Sequence, residues 1–591
     1  MANLSKIKRE KMIAYLNELK ELHSDDNSIT ALNEIENFIN EKKYGLVFEQ
    51  HEEEVDELLK TNIPVLIEDN DRVVRTSDKK PMNFIIEGEN LQALYLLAKT
   101  HKGKIDCIYI DPPYNTGAKD WKYNNKYVDE TDKYRHSLWL SMMEERLKIA
   151  KTLLKKDGAL ITTIDDNEFA NVFLLIQDIF PSAKHNVITI QMNPGGTQGK
   201  AFSVTNEYAI ITYFKETTIY RQKHEGGDTY NLRRWGSTSN RFEGATCFYP
   251  IILNSKKEII GFGDVLCDDK HPTSQIEYQK NGEIYVWPLD INNNEKKWRY
   301  ARDTVESVKE RMFIEEHGNR IEILLRRDTE PPKTVWIDPS YNSESHGTKL
   351  LKKFLCDRKF PYPKSLYAVK DCLYLITQGK KNAVILDFFA GSGTTFHAVN
   401  LLNKEDNGNR KCIMVTNNAI SYDEEKRLKR LGYKQGDEEW EKIGIARYIN
   451  WPRAVCTIKG VDINGNPVND QYLNTDFKFS DGFEANVKYL KCDWTPRKPE
   501  DYLLSNILCL HIKEMLELQN FIEIDNKKYV LVLNKNDYKE YVEKSKNVQI
   551  KHLWYNQNII FTSKELSLIK KCNGKPIPNE FFGEELKEAG E

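Results

Sequence analysis

The sequence lacks an excess of charge of either sign. Its 591 residues include 86 Lys and Arg against 89 Asp and Glu. A chain with no basic excess shows no global signature of a polyanionic partner, so any phosphate-binding surface must arise from local segregation of charge. From net charge alone, an ordinary enzyme without a polyanionic partner is the simpler expectation.

Metal-binding and membrane-spanning patterns are lacking as well. The ten cysteines form no C-x-x-C pair and no Cys/His cluster with zinc-ligand spacing, so we expect reduced, structural thiols and no metal. The opening residues, MANLSKIKREKMIAYL, contain no apolar signal core. No apolar run approaches the roughly 18 residues that a membrane span needs. We therefore expect a soluble, cytoplasmic protein without membrane contacts.

The apolar pattern divides the chain into five segments. Residues 1–80 are charge-rich, with Ile7, Met12, Leu16, Leu19 and Leu22 at helical spacing, and this predicts an N-terminal helical segment. Residues 81–215 alternate between strand and helix patterns, and residues 346–448 resume that rhythm. Between them, residues 216–345 carry short β-like runs and turn glycines such as Gly226 and Gly227, typical of an inserted domain. Residues 449–591 form a mixed C-terminal domain, with a helix predicted over Tyr502–Leu518.

The alternating segments predict a doubly wound, mostly parallel α/β sheet. Strands are predicted at Phe84–Glu87, Ile105–Ile110, Ala159–Ile164, Ala383–Phe389 and Lys411–Asn418. Helices are predicted at Leu91–Lys99, Ser137–Leu154 and Phe396–Leu402. Strands alternating with helices through short links are the signature of such a sheet.

A first chemical motif, Asp111-Pro112-Pro113-Tyr114, follows the predicted strand Ile105–Ile110. Open α/β sheets bind ligands at this edge. An exocyclic amine on adenine or cytosine is a poor nucleophile, and acceptors aimed at its two N–H bonds favour attack on a methyl group. The Asp111 carboxylate and the Pro112 carbonyl supply these acceptors. Tyr114 offers a flat face for a base removed from the duplex.

A second motif, Phe389-Ala390-Gly391-Ser392-Gly393-Thr394-Thr395, follows a strand that carries Asp387. Glycines between a strand and a helix allow close approach of a nucleotide-like ligand. The spacing matches neither G-x-G-x-x-G nor G-x-x-x-x-G-K-[ST], which disfavours a dinucleotide or ATP. A positively charged sulfonium such as that of S-adenosylmethionine (AdoMet) needs no metal to transfer its methyl group.

The predicted insertion interleaves basic and aromatic residues, a composition suited to gripping phosphate and stacking on bases. Ordinary surface ion pairs are the equally weighted alternative. The candidate DNA-binding residues are Arg233, Arg234, Trp235, Arg241, Lys297 and Arg299. Trp298 and Arg302 belong to the same stretch.

The order of these features resembles the β-class amino-methyltransferases of DNA, and more narrowly the modification (Mod) subunit of type III restriction–modification systems. The fold that the resemblance implies is a circularly permuted AdoMet methyltransferase sheet of the seven-stranded type with an inserted target recognition domain. Besides the two motifs, the matching stretches include residues 42–66, 85–97, 139–172, 205–215, 240–251, 286–305 and 360–370.

The resemblance assigns roles residue by residue. Asp111 to Tyr114 correspond to the catalytic loop, with Asp111 also near the cofactor, and Asp387 with Phe389 to Thr394 corresponds to the AdoMet loop. A Gly-Asp-Asn element of the family corresponds to Gly88-Glu89-Asn90, where Glu89 replaces the usual Asp. The family's Pro-Lys pair corresponds to Pro363 and Lys364. The resemblance implies that Glu89, Asn90 and Lys364 contact the cofactor. Many relatives hold the AdoMet ribose with an acidic residue, and here Asn417 occupies that stretch.

The resemblance also implies adenine N6 as the acceptor in duplex DNA, a homodimer, and a separate restriction (Res) subunit. The motif Asp-Pro-Pro-Tyr itself also suits cytosine N4. Two further alternatives are a non-catalytic DNA-recognition subunit and a methyltransferase acting on RNA or on a protein amide. Intact loops disfavour the former, and Asp111 with the large insertion disfavours the latter. We interpret His136, His397 and the acidic run Ile164–Glu168 as structural or pocket-lining.

Overall fold

The structure, a computed structural model, describes two compact units. One comprises residues 1–218 with 334–591, and the other residues 219–333. The described residues are 4–23, 25–40, 46, 48–123, 126–129, 134–198, 201–223, 228–327, 329–358, 360–497, 508–543, 550–578 and 580–581. The predicted turn glycines Gly226 and Gly227 and the first part of the predicted helix Tyr502–Leu518 lie outside this range.

The larger unit is built on a ten-stranded sheet. In chain order its strands are β1 (Asn62–Val74), β2 (Met82–Glu87), β3 (Ile105–Ile110), β4 (Leu154–Ile164), β5 (Lys184–Gln191), β6 (Asn206–Tyr213), β7 (Val335–Trp336), β8 (Val384–Asp387), β9 (Lys411–Thr416) and β10 (Asn486–Pro496). Their order across the sheet is β1-β10-β2-β9-β8-β3-β4-β6-β5-β7. The neighbours from β10 to β4 are all parallel, whereas β1 and β6 run antiparallel to their neighbours. The predicted mostly parallel α/β fold is confirmed.

Helices accompany the sheet. They are α1 (Leu4–Leu22), α2 (Asp26–Asn40), α3 (Glu54–Thr61), α4 (Asn90–His101), α5 (Arg135–Leu153), α6 (Phe169–Ile179), α7 (Lys349–Leu355), α8 (Leu366–Thr377), α9 (Thr394–Asp406), α10 (Tyr422–Arg430), α11 (Trp451–Lys459), α12 (Ile512–Asn520) and α13 (Ser563–Lys571). Shorter helical turns include Lys535–Asp537 and Glu438–Glu441. Within the described residues, no helix combines the length and the apolar character that a membrane crossing requires.

The central strands are apolar because the sheet buries them on both faces. All six residues of β2 and all six of β3 are buried. Parallel strands covered on both sides read as continuous apolar runs rather than alternating ones. Helices α4 and α5 pack together through residues such as Leu94, Leu97 and Leu147, which belong to one large apolar cluster with the strands. This core holds the strand ends, and therefore the loops after them, in fixed positions.

The prediction of an N-terminal helical segment over residues 1–80 is wrong for its last part. Residues Asn62–Val74 form β1, which pairs antiparallel with β10 at the sheet edge. The apolar part Ile63–Leu66 is buried, but the polar run 68–72 hides the strand pattern in the sequence. Pro64 is compatible with this position because an edge strand can spare one backbone donor.

The smaller unit, residues 219–333, contains short antiparallel sheets. Ile251–Leu253, Ile259–Phe262, Ile276–Tyr278 and Ile284–Val286 form one sheet, and Thr229–Asn231, Met312–His317 and Arg320–Arg326 form another. Its apolar cluster includes Leu232, Tyr249, Trp298 and Leu325. The unit thus has its own core. Gln222–Lys223 and Thr329–Glu330 form a further antiparallel pair of this unit.

The larger unit has other short strands besides its main sheet. Ala118–Tyr123 pairs with Lys126–Asp129 and Thr197–Gln198 with Ser203–Val204, both antiparallel. Tyr529–Val532, His552–Tyr555 and Gly574–Pro576 form a parallel set.

Candidate active site

The two predicted loops leave adjacent strands at the same edge of the sheet. Strands β3 and β8 are parallel neighbours, with Ile385 opposite Cys107 and Leu386 opposite Ile108. Asp111 follows β3, and the glycine-rich loop follows β8. Since parallel strands present their carboxyl ends at one edge, the structure brings together two motifs that lie far apart in the sequence.

The Asp111 carboxylate is half-buried, and its known partners all use one oxygen. Oδ1 accepts hydrogen bonds from the hydroxyls of Thr163 at 2.8 Å and Tyr114 at 3.2 Å. The Lys364 ammonium also lies 3.2 Å from Oδ1. No described residue donates to Oδ2. The carboxylate is therefore held by one oxygen while the other remains able to accept a hydrogen bond from a ligand.

The two proline carbonyls have different surroundings. The buried Trp139 of α5 donates its indole N–H to the Pro113 carbonyl at 2.7 Å. Among the described residues, nothing donates to the Pro112 carbonyl. An indole anchored in the core thus fixes the turn through one carbonyl and leaves the preceding one available, as the sequence argument requires of Pro112.

Lys364 joins the catalytic loop to a buried carboxylate, Glu207. Its ammonium lies 2.6 Å from Glu207 Oε2 and contacts the Tyr114 hydroxyl. That hydroxyl also donates to Glu207 at 2.9 Å. Burial by itself would lower the pKa of Lys364, but the Asp111 and Glu207 carboxylates outweigh it and raise the pKa. Lys364 was predicted to bind cofactor, and the structure places its ammonium against Asp111 and Tyr114 of the catalytic loop.

The same network sets the state of Tyr114. Burial first, and then the nearby Asp111 and Glu207 carboxylates, raise the pKa of the Tyr114 phenol well above its ordinary value, so it stays protonated. The Lys364 ammonium lies 4.3 Å from the centre of the Tyr114 ring. One region of the ring therefore already contacts a cation. Its role as a stacking surface stays a prediction.

A second carboxylate supports the end of the catalytic loop. Glu168, 1% exposed, accepts from the Asn115 side chain and lies 2.6 Å from His136 Nδ1. Asn115 has a positive φ of 56°, a conformation that asparagine tolerates better than most residues. Glu168 thus holds the Asn115 side chain and lies against His136, in keeping with a structural interpretation of both.

In the glycine-rich loop, Asp387 organises the backbone. Its Oδ1 accepts from the Phe389 N–H at 3.0 Å, and its Oδ2 accepts from the Thr395 hydroxyl. Burial raises the pKa of Asp387 to about 7, although both hydrogen bonds oppose that shift. The buried Ala390 donates its N–H to the Val415 carbonyl at 3.0 Å. The carboxyl group is therefore internal, and it shapes the loop.

Glycine is required at two positions of this loop. Gly391 has φ 45° and Gly393 has φ 79°, in the left-handed region that side chains disfavour. The loop ends in the N-terminus of α9 at Thr394. Ser392 and Thr394 are buried, and their hydroxyl oxygens lie 3.3 Å apart. These positive-φ glycines, two hydroxyls and a helix N-terminus form a set of donors that fits the amino-acid end of AdoMet.

The turn after β2 is tied to the same loop. Asn90 donates its amide to the Phe388 carbonyl at 3.0 Å and accepts from the buried Arg146 of α5. Arg146 also contacts Glu89 at 2.9 Å and pairs with Glu53. Asn90 is therefore a bridge between two loops, whereas the Glu89 side chain is 41% exposed. Both were predicted to contact cofactor; Asn90 contacts the start of the glycine-rich loop, Glu89 precedes Asn90 in the chain, and their cofactor contacts stay a prediction.

Asn417 lies just beyond β9 and is exposed. Its side-chain oxygen accepts from the Ala419 N–H at 3.4 Å. The structure thus places it at the sheet edge with a side chain that can meet solvent or a ligand, and its ribose-binding role stays a prediction.

The predicted DNA-contacting residues fall into two groups. Three of them, Arg233, Arg241 and Lys297, are at most 8% exposed. Arg233 donates to Glu322, Arg241 donates to the carbonyls of residues 266, 267 and 270, and Lys297 donates to the Glu243 carbonyl. This burial favours a structural role for these three. Arg234 is half-buried, whereas Trp235 and Arg299 are exposed and keep the prediction of DNA contact.

Sequence reasoning missed several residues of the site. Glu207, Trp139 and Thr163 support the catalytic loop, and Arg146 supports the turn at Asn90. Arg146 was visible as a charged residue in line with Leu138, Met142 and Ala150 on an apolar helix face, and Glu207 as an acidic residue opening an apolar strand. Within the described residues, no group of three His, Cys, Asp or Glu side chains is arranged to hold a metal ion.

Comparison with known proteins agrees with this geometry. A family model described as DNA methylase matches residues 105–434, more than half of the chain. The chain belongs to the DNA methylase family. The matched residues include both loops and the whole insertion.

Individual relatives are more specific. The chain is 47% identical over 429 residues to the probable type III restriction-modification enzyme HindVI Mod subunit of Haemophilus influenzae, covering 64% of this chain and 54% of that protein. It is 28% identical over 429 residues to the type III restriction-modification enzyme EcoPI Mod subunit of Escherichia phage P1, covering 64% of each. The chain thus spans less than two thirds of both relatives. The crystal structure of the M1.HpyAVI–SAM complex is similar at a TM-score of 0.27 and 13% identity, covering 60% of this chain and 100% of that one.

Proposed function

We propose that this DNA methylase transfers a methyl group from AdoMet to adenine N6 in duplex DNA, at a specific sequence and after base flipping. We further propose that it serves as the modification and recognition subunit of a type III restriction–modification system. One observation carries the proposal. Two available acceptors, Asp111 Oδ2 and the Pro112 carbonyl, lie in the loop after β3, and the neighbouring strand β8 leads into the glycine-rich loop.

The residues of the catalytic loop prepare the amino nitrogen for attack. AdoMet supplies a methyl group on a sulfonium centre whose leaving group is a neutral thioether. Asp111 and Pro112 each accept one N–H of the exocyclic amine, which draws its lone pair out of conjugation with the ring. The nitrogen would take the methyl group as the S–C bond breaks, and the proton that it then loses would pass to Asp111, which already accepts that N–H. Lys364 remains a cation beside Asp111 throughout.

The loop around Gly391 and Gly393 holds the methyl donor. Ser392 and Thr394, with the N-terminus of α9, supply hydrogen-bond donors at this loop. Glu89 and Asn417, at the ends of neighbouring strands, supply acceptors for hydroxyl groups. In this proposal Lys364 supports the catalytic loop and does not bind the methyl donor, since its contacts are with Asp111, Tyr114 and Glu207.

Adenine is the proposed base because the relatives are named as Mod subunits of type III systems, and the resemblance to that family implies adenine N6 as the acceptor. The catalytic acceptors suit cytosine N4 as well, but no specific observation favours cytosine. The same relationship supports a Res partner that supplies cleavage, a homodimer, and action in the cytoplasm.

Residues 219–333 are the proposed target recognition domain. The lining of a groove in this unit includes four arginines, two tyrosines and one acidic residue: Arg221, Arg299, Arg311, Arg327, Tyr230, Tyr300 and Glu330. The guanidinium groups of Arg299 and Arg327 lie 5.3 and 5.7 Å from the Tyr230 ring centre. Clustered guanidinium groups suit DNA phosphates, and they supply the local positive charge that the balanced composition of the whole chain lacks.

Salt dependence tests this groove. Replacing Arg299 or Arg327 with Gln should weaken binding of all duplexes alike and reduce the slope of log affinity against log salt by about 1. Lys280→Gln is the matched control, because Lys280 is an exposed cation of the same unit that does not line the groove. Equal salt slopes for all three variants would rule out the groove as a phosphate site.

The enzymatic proposal is tested by methyl transfer in vitro. The purified chain is incubated with labelled AdoMet and either duplex DNA, RNA or a protein extract, and the labelled product is identified after digestion. We expect N6-methyladenine from the duplex alone, and no product with Asp111→Ala. N4-methylcytosine would replace adenine with cytosine in the proposal, and label only in RNA or protein would overturn it.

A further inference from the structure

Arg453 is a buried cation directly behind the glycine-rich loop. It lies on α11 and is 1% exposed. Its Nη1 donates to the hydroxyls of Thr394 at 2.8 Å and Ser392 at 3.0 Å, and to the Ser392 carbonyl at 3.3 Å. Asn450, one turn earlier, donates to the Gly391 carbonyl at 2.9 Å. The segment therefore contacts Gly391, Ser392 and Thr394 of the loop.

The charge of Arg453 has no carboxylate beside it. Among the described residues, no Asp or Glu oxygen lies within 4.0 Å of its guanidinium, and its Nε and Nη2 have no hydrogen-bond partner. The other fully buried arginines differ, since Arg146 pairs with Glu53 and Arg410 with Asp406. Burial lowers the pKa of Arg453 to about 9, which leaves it charged at neutral pH. An unpaired buried charge is costly, and its retention suggests an anionic counterpart.

The hydrogen bonds from Arg453 set the direction of the two hydroxyls. Because Nη1 donates to the oxygens of both Ser392 and Thr394, their lone pairs are engaged. The hydroxyl oxygens are 3.3 Å apart, so one can donate to the other. At least one O–H then remains to donate to a ligand, and the cation behind it makes that donor stronger toward an anion.

We propose that Arg453 is a positioning residue that commits the Ser392 and Thr394 hydroxyls to bind the carboxylate of the amino-acid moiety of AdoMet. This inference rests on the proposed function, because it takes AdoMet as the ligand of the loop. Arg453 acts through the two hydroxyls and does not touch the reacting atoms. Its charge supplies the counterpart that the carboxylate needs.

Two ligands that differ by one group test the proposal without catalysis. S-adenosylhomocysteine carries the carboxylate, and its decarboxylated analogue lacks it. Their dissociation constants are measured by calorimetry for the full chain and for Arg453→Met. The variant should bind S-adenosylhomocysteine about 10- to 100-fold more weakly, as expected for a lost charge-assisted hydrogen bond, and the analogue less than about 3-fold more weakly.

Matched variants separate positioning from folding. Arg410→Met removes another fully buried arginine of the same unit, and it should affect both ligands equally. Arg453→Lys keeps the charge and should restore most of the preference for the carboxylate. If Arg453→Met does not fold, Thr394→Val supplies the measurement, because it removes one hydroxyl from the relay and should lower the same preference.

The outcomes are distinguishable. Equal weakening of both ligands by Arg453→Met and by Thr394→Val would overturn the positioning role while leaving the proposed function intact. Failure of the unaltered chain to bind S-adenosylhomocysteine would overturn the proposed function and the inference with it.

Discussion

Removing the Lys364 cation is the perturbation whose effect follows most directly from the structure. Its ammonium lies 3.2 Å from Asp111 Oδ1 and 2.6 Å from Glu207 Oε2, and its side chain is 10% exposed. Coulomb's law gives about 5 kcal/mol for unit charges at 3.2 Å in an effective dielectric of about 20. The desolvation of the ammonium offsets part of this attraction.

Lys364→Met should therefore lower the free energy of unfolding by about 3–5 kcal/mol, because it leaves two carboxylates close together without their cation. For a unit of this size, that corresponds to a fall in Tm of roughly 3–5 °C. The variant should also lower kcat for methyl transfer, because the Asp111 carboxylate loses the cation that holds one of its oxygens. Differential scanning calorimetry and single-turnover kinetics measure the two effects.

The matched control is the double variant Lys364→Met with Glu207→Gln. It removes the cation and one carboxylate together, so it should recover at least half of the lost Tm. If Lys364→Met changes neither Tm nor kcat, Lys364 does not hold the catalytic loop as the distances indicate.

Three further perturbations test separate parts of the account. Trp139→Phe removes the hydrogen bond to the Pro113 carbonyl, and kcat should fall about tenfold in single-turnover assays with a KM for AdoMet within about twofold, because the loop shifts without losing the cofactor site. Arg146→Met should lower the free energy of unfolding by about 3–5 kcal/mol by leaving the buried Glu53 carboxylate unpaired, which chemical denaturation measures. Asp387 has its pKa raised from 3.8 to about 7 in the folded state, so it contributes stability that is full below pH 3.8 and is lost as the pH rises through 7. The Tm of the unaltered chain should thus fall more between pH 5 and 8 than that of Asp387→Asn, and parallel falls would contradict the buried acid.

Apolar runs allowed the central sheet to be predicted, because strands covered on both faces must be apolar along their whole length. The strands at Ile105–Ile110 and Lys411–Thr416 come close to this pattern, with Asp106 in the first and Lys411 and Thr416 at the ends of the second as their polar residues. The edge strand β1 was missed because half of it is solvated and carries five consecutive polar residues, 68–72. Strand β10 was missed for a related reason, since charged Lys488 and Lys491 interrupt its apolar pattern, and Lys488 is buried against Glu517.

The site could be predicted where its residues are adjacent in the chain, and only there. Asp111 and Pro112 carry their chemistry in a contiguous motif. Their supports come from distant segments: Glu207 and Lys364 are 157 residues apart, and no local pattern joins them. The same holds for Arg453, whose contact with Ser392 depends on the packing of α11 behind the loop.

The burial of each arginine distinguishes structural arginines from candidate DNA-binding ones, which the amino-acid composition alone cannot do. Arg233 and Arg299 are both arginines near aromatic rings, yet the first is 2% exposed and paired with Glu322 while the second is exposed. Interleaved basic and aromatic residues predict a nucleic-acid surface and a cation–π-rich core equally well, since both use the same side chains.

Modification-sensitive sequencing of genomic DNA is the most direct test that this chain methylates adenine N6 through Asp111. It compares cells expressing this chain with cells expressing Asp111→Ala. The account predicts N6-methyladenine at one short sequence motif in the first strain and its absence in the second. The same methylation pattern in both strains, or no modified base in either, would contradict it.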